Sequence, residues 1–276
     1  MLAVTVPPPP APPVEHRYGP APAQVCELHR PAGPPRAVAV LVHGGFWRAR
    51  YDRSLMHPLA ADLVARGWAV WNMDYRAVGE GVSAGGGWPA TFEDVAAAVD
   101  LLADVSVEEG PDLPLDRVAV AGHSAGGQLA LWIAGRHRLP AGAPGADPRV
   151  RPVAAVAQAG VVALADAART GVGNGAVVDL LGATPDADPQ RYALTDPVAL
   201  VPLGVPVLAV TGEVDESVPA RLSASWAAAA RAAGDDVTLH VEPGEDHMAH
   251  TDPASRVWAV ARAFLSARVP GDRMEA

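Results

Sequence analysis

A chain of 276 residues with 50% hydrophobic content is long enough for one large α/β core, and nothing in its length requires a second. A formal charge of −10, with an isoelectric point near 5.3, leaves no clustered positive face for nucleic acid or an anionic membrane. All 21 basic residues are arginine, and the absence of lysine removes Schiff-base chemistry, pyridoxal-phosphate attachment and a lysine-bearing P-loop.

The single cysteine, Cys26, has no internal disulfide partner, which fits a reducing compartment. It lies near the amino terminus without a glycine turn beside it, and reads as structural rather than nucleophilic. The start of the chain carries no basic leader, and no apolar run is long enough to span a bilayer, so a cytoplasmic location is expected.

Residues 1–36 read as a proline-rich arm followed by an edge hairpin, with a strand over Gln24 to His29 and a turn at Pro31–Pro35. Residues 37–276 read as one domain. Ala37 to Val42 is a continuous apolar run of the kind buried on both faces of a parallel sheet. A helix is expected over Ser54–Arg66, a second buried strand over Trp68–Tyr75, and then a mobile or tightly turned loop, Ala77–Trp88, with five glycines. Pro89 opens a helix running to about Asp104, with Thr91 and Asp94 spaced as a capping box.

Val118 to Ala121 forms a strand that runs through Gly122-His123-Ser124-Ala125-Gly126 into an Ala/Leu-rich helical pattern. Another strand spans Val153–Ala159, and residues 160–204 make an irregular connection with one short helix, Ala176–Leu181. A strand at Val205–Thr211, a helix at Ala220–Ala233, a strand at Val237–Val241 and a helix from about Pro253 to Ala267 complete the alternation. Such alternation predicts a mostly parallel sheet with helices on both faces.

In such a sheet the chemistry gathers beyond the carboxyl ends of the strands. Ser124 stands at one of them, where strand turns into helix among small residues that let the chain pass closely and project the hydroxyl. A serine needs a base, and His247 follows the last strand in a glycine-containing loop; His250, three residues on, is its rival. His247-x-x-His250 without an HExxH motif or a cysteine cluster points to no metal. The carboxylate that would orient the imidazole is Asp215, Glu213 or Glu216, all just beyond the Val205–Thr211 strand.

Taken together, Gly122-His-Ser-Ala-Gly-Gly, Gly212-Glu-Val-Asp215-Glu-Ser-Val-Pro219 and Gly244-Glu-Asp-His247 resemble the elbow, acid loop and histidine loop of an α/β-hydrolase of the esterase/lipase kind, over about residues 36–268. His43-Gly44-Gly45-Phe46-Trp47 resembles the HGG oxyanion loop, in a form similar to the kynurenine formamidase branch. The resemblance implies an α/β-hydrolase fold with a small cap or none, and a Ser124, Asp215 and His247 triad. It further implies that the amides of Gly45, Phe46 and Ala125 bind the oxyanion. His43 is expected to brace the loop. Trp47 and Trp88, with Phe46 and Tyr51, are candidates for a substrate pocket.

The expected activity is cofactor-independent hydrolysis of a small-molecule ester or aryl amide through an acyl-enzyme. N-formylkynurenine formamidase is the alternative, with Arg48, Arg50 or Arg76 available to hold a substrate carboxylate. A non-catalytic binding module is the reading from another class. Neither nucleic acid nor membrane is expected as a partner, and homo-oligomerisation is left open.

Overall fold

The computed structural model describes residues 12–108 and 113–269. All but the last two positions of the proline-rich stretch 1–13 lie outside it, as do residues 270–276 of the expected domain.

Eight strands form one sheet: β1 (Val14–Arg17), β2 (Val25–His29), β3 (Ala37–Val42), β4 (Trp68–Met73), β5 (Val118–His123), β6 (Ala154–Gln158), β7 (Val207–Gly212) and β8 (Val237–Glu242). Their order is β1-β2-β4-β3-β5-β6-β7-β8. β1 and β2 pair antiparallel, as do β2 and β4, and every other pairing is parallel. This is an α/β-hydrolase fold.

Among the described residues the α-helices are α1 (His57–Val64), α2 (Ala90–Glu108), α3 (Ala125–Gly135), α4 (Leu164–Arg169), α5 (Ala176–Leu181), α6 (Pro189–Thr195), α7 (Ala220–Ala232) and α8 (Arg256–Arg268). They cover both faces. The strands divide by alternation: Val38, Val40 and Val42 of β3 face a core with Phe92, Leu129, Trp132 and Trp226 from α2, α3 and α7. Ala37, Ala39 and Leu41 face Leu59, Leu63, Trp258 and Leu265 from α1 and α8. A strand read in sequence as an unbroken apolar run is therefore buried on both sides.

Three local expectations need correction. The helix expected over Ser54–Arg66 is a 3-10 turn, Arg53–Met56, followed by α1, with the Asp52 side chain capping Ser54 N–H. Thr91 and Asp94 do not form a capping box. The Thr91 hydroxyl donates to the Arg76 carbonyl at 2.6 Å and accepts from Gly87 N–H, while Asp94 accepts two bonds from the Arg76 guanidinium. Both side chains tie down the glycine-rich loop before α2. The connection 160–204 holds three helices rather than one; α4 and α6 lack the dense apolar pattern that marks Ala176–Leu181.

Candidate active site

β5 and α3 meet at Ser124, whose backbone lies at φ 57° and ψ −118°, a conformation an L-residue holds only when its surroundings impose it. The surroundings are small residues. A Cβ on Gly122 would overlap the Gly126 carbonyl, and one on Gly126 would overlap the carbonyls of Val42 and His43. Ser124 N–H donates to the Gln158 carbonyl at 2.7 Å, anchoring the turn to β6. The hydroxyl is buried and has no hydrogen-bond partner. It is held at the mouth of the sheet with its donor and lone pairs unspent.

Across the carboxyl edge, His247 Nδ1 lies 2.8 Å from Asp215 Oδ2. A carboxylate only accepts, so Nδ1 carries the proton and Nε2 is left with a lone pair. Asp215 is itself fixed by the N–H groups of Ser217 and Val218 at 2.8 and 2.9 Å. Burial opposes its charge, but the His247 bond and these amides prevail and hold its carboxyl below the usual range. The competing acids are engaged elsewhere or solvated: Glu213 accepts from Gly244 N–H, and Glu216 is exposed. Gly212 brings the two loops together, because a Cβ there would overlap the Glu245 carbonyl.

His250, the other candidate base, is fully buried with neither ring nitrogen partnered. Burial, and then His247, lower its pKa to about 4. A buried ring stacked 5.9 Å from His123, with no hydrogen bond to Asp215, whose free oxygen goes to His247, is packing, not a proton shuttle.

His123 has a part that its place in the motif did not suggest. Its Nε2 donates to the His247 carbonyl at 3.0 Å, and the two rings lie 4.6 Å apart. The residue before the serine thus holds the backbone of the histidine loop. Burial, then His247 and His250, push its pKa well below normal, so it stays neutral.

The loop after β3 passes directly over Ser124: a Cβ on Gly44 would come within 2.8 Å of the His123 carbonyl and 2.9 Å of Ser124 Cβ. Gly45, Phe46 and Trp47 all take positive φ, at 112°, 51° and 54°. Three such residues in succession need support. His43 supplies it, with Nδ1 2.8 Å from the Gly44 carbonyl and Nε2 3.0 Å from Asp74. Tyr75 stacks on the His43 ring and donates to its carbonyl, while Arg53 reaches Asp74 at 3.4 Å. Asp74 and Tyr75 therefore brace the loop, and Arg76 is spent on Asp94.

A cavity of about 170 Å³ joins these parts. Ser124, His123 and His247 share its wall with Gly45 and Phe46, and Tyr51, Leu55, Ser217 and Met248 close it. Trp47 and Trp88, expected at the pocket, are not part of this wall. Trp47 is buried and donates its indole N–H to Gln128, which in turn donates to the Thr195 carbonyl. Trp88 packs edge-on against Phe92. Leu55, Ser217 and Met248 carried no signal in the sequence, because they come from three separate loops.

Residues 27–229, well over half of the chain, match the BD-FAE family. The chain belongs to the BD-FAE family. The matched stretch contains Ser124, Asp215 and the loop after β3 but stops short of His247. A search of curated proteins finds no match.

Among solved structures, this BD-FAE chain is similar to a truncated carbohydrate esterase from gut microbiota, with TM-score 0.78 and 18% identity over 97% of this chain and 98% of that one. Esterase B from Lactobacillus rhamnosis HN001 matches with TM-score 0.77 and 19% identity, over 92% and 83%. A thermophilic esterase from the Planctomycetes species Thermogutta terrifontis, with butyrate bound, matches with TM-score 0.68 and 21% identity, over 88% of each chain. At these identities the likeness is one of fold.

Proposed function

We propose that this BD-FAE chain is a serine esterase that cleaves esters of short carboxylic acids through an acyl-enzyme. The observation that carries the reading is the shared cavity: an unpartnered buried serine hydroxyl and a histidine already oriented by a buried carboxylate face one small space. Three of the structures it resembles are themselves named as esterases, which agrees with the reading.

In the proposed cycle Ser124 Oγ attacks the ester carbonyl carbon while His247 Nε2 takes its proton. Asp215 steadies the resulting imidazolium. The amides of Gly45, Phe46 and Ala125 receive the oxyanion, each such donor being worth roughly 3 kcal/mol of transition-state stabilisation. The alkoxide leaves with the proton from His247, and water, activated by the same nitrogen, releases the acid. The free Ser124 hydroxyl is consistent with a base contact that tightens only around substrate.

A space of about 170 Å³ falls below the roughly 300–1,000 Å³ of sites for drug-sized molecules. That suits a short acyl chain. The formamidase alternative gains no support from the arginines it would need. Arg48 pairs with Asp179 at 2.5 Å, Arg76 with Asp94, and Arg50 lies over the Tyr51 ring.

Fluorophosphonate labelling of wild type and Ser124→Ala tests the proposal, with turnover of p-nitrophenyl acetate beside N-formylkynurenine. Wild type should label and prefer the ester, and Ser124→Ala should do neither. A wild-type chain that neither labels nor turns over either compound would instead be a binding module on a hydrolase fold.

A further inference from the structure

Away from the Ser124 cavity, three side chains of metal-ligating type converge on the α1 face of the sheet. Glu27 and His29 stand two apart in β2 and so share a face, opposite Cys26 and Leu28, which enter the core shared with α2 and α3. His57 opens α1. The Nε2 atoms of both histidines turn to the same oxygen, Glu27 Oε2, at 3.2 Å for His29 and 2.7 Å for His57. The three ligand atoms lie within 4.8 Å of one another.

We propose that Glu27, His29 and His57 bind one divalent transition-metal ion of the zinc type, with solvent completing its shell. Two imidazoles and one carboxylate are a donor set that Zn²⁺ takes readily, at about 2.0–2.2 Å from each atom. Ligand atoms around a tetrahedral ion then sit roughly 3.3 Å apart. The His29 contact already matches, the His57 contact has to open by about half an ångström, and the two Nε2 atoms, within 4.8 Å of each other, have to turn onto the ion, which a His57 side chain 46% exposed can do.

The outer shell is in place. Arg53 Nε donates to Glu27 Oε1 at 2.8 Å, which leaves Oε2 as a single-atom ligand, and Asn72 Nδ2 steadies that oxygen at 3.3 Å. Arg53 does not make the patch cationic, because it also pairs with Glu15 and Asp74: three carboxylates surround one guanidinium. The exposed side, towards His57, leaves room for water.

Its role would be structural, joining β2 to the start of α1, since neither histidine lines the Ser124 cavity. The sequence gives no hint of the site: positions 27, 29 and 57 match no ligand spacing.

The test uses the full chain, freed of metal with EDTA and titrated with ZnCl₂ by calorimetry, with CoCl₂ absorption reporting tetrahedral ligation. One equivalent of zinc should bind and raise the melting temperature. His57→Ala, a change at a half-exposed position, should weaken binding by more than the roughly 10–100-fold that loss of an outer partner costs, and His29→Ala likewise. His247→Ala should leave it unchanged. Zinc that does not bind at millimolar concentration, or binds equally well to both His29→Ala and His57→Ala, overturns the proposal, as does binding that is lost in His247→Ala. In the first case the cluster is a hydrogen-bonded carboxylate and nothing more. Fluorophosphonate labelling of Ser124 in the same His57→Ala preparation keeps this result separate from the esterase reading.

Discussion

Acidification should destabilise this protein through two histidines that stay neutral inside it. His250 is wholly buried with both ring nitrogens unpartnered, and burial, followed by the proximity of His247, takes it from its ordinary 6.5 down to about 4. His123 is displaced in the same direction. In the unfolded chain each takes up a proton near pH 6.5, while the folded chain refuses it. Below that pH the unfolded state therefore binds more protons, and stability falls as pH falls. For His250 the window runs from 6.5 to about 4, which at roughly 1.4 kcal/mol per pH unit comes to about 3 kcal/mol.

Against a total of roughly 5–15 kcal/mol for a folded domain, that is a large fraction, and His123 adds to it. The depressed carboxylates act lower down. Glu27, held at about 2, contributes stability that is whole above its ordinary 4.5 and is lost only as pH falls from there through 2. Urea unfolding of wild type and His250→Leu at pH 7.5, 6.0 and 4.5 separates the effects. Wild type should lose about 3 kcal/mol or more between the extremes, and His250→Leu markedly less. A wild-type midpoint that does not move over this range, or an identical slope in His250→Leu, refutes the account.

Three further outcomes follow from the site. Asp215→Asn should leave the fold intact and lower kcat on p-nitrophenyl acetate by about 10⁴-fold, because the amide cannot hold the tautomer that leaves Nε2 free; a loss below tenfold would remove Asp215 from the site. Gly44→Ala places a methyl 2.8–2.9 Å from the His123 carbonyl and Ser124 Cβ, so the loop after β3, proposed to hold the oxyanion, must lift. Steady-state kinetics should show kcat down by about 10²–10³-fold with KM little changed. Leu55→Ala widens the cavity, and an ester series should show the best substrate moving towards longer acyl chains; an unmoved preference would mean that another wall sets the length.

The alternation of strands and helices was legible because fully buried strands are unbroken apolar runs bounded by glycine and proline, as β3 and β5 are. The elbow was legible for a related reason: only small residues permit the approaches made by Gly122 and Gly126. Packing partners were not. Trp47 and Phe46 are adjacent aromatics, and nothing in their chemistry says that one binds Gln128 in the interior while the other faces Ser124. Thr91 and Asp94 had the spacing of a cap, yet a nearby loop competed for their hydrogen bonds and won. His123 looked like a spacer between glycine and serine, since its partner is a main-chain carbonyl 124 residues away.

The packing of α8 bears on how this protein can be divided. Val257, Trp258, Ala261 and Leu265 close the sheet face that α1 leaves uncovered, and Trp258 also reaches Asp62 on α1 at 2.9 Å. The loop bearing His247 is the tether between β8 and that helix. A fragment trimmed to the family's limits would keep Ser124 and Asp215 but lose β8, the tether and α8 at one stroke. It would expose a broad apolar surface on Leu41, Val156 and Val210, and any inactivity it showed would report a ruined core before it reported a missing base.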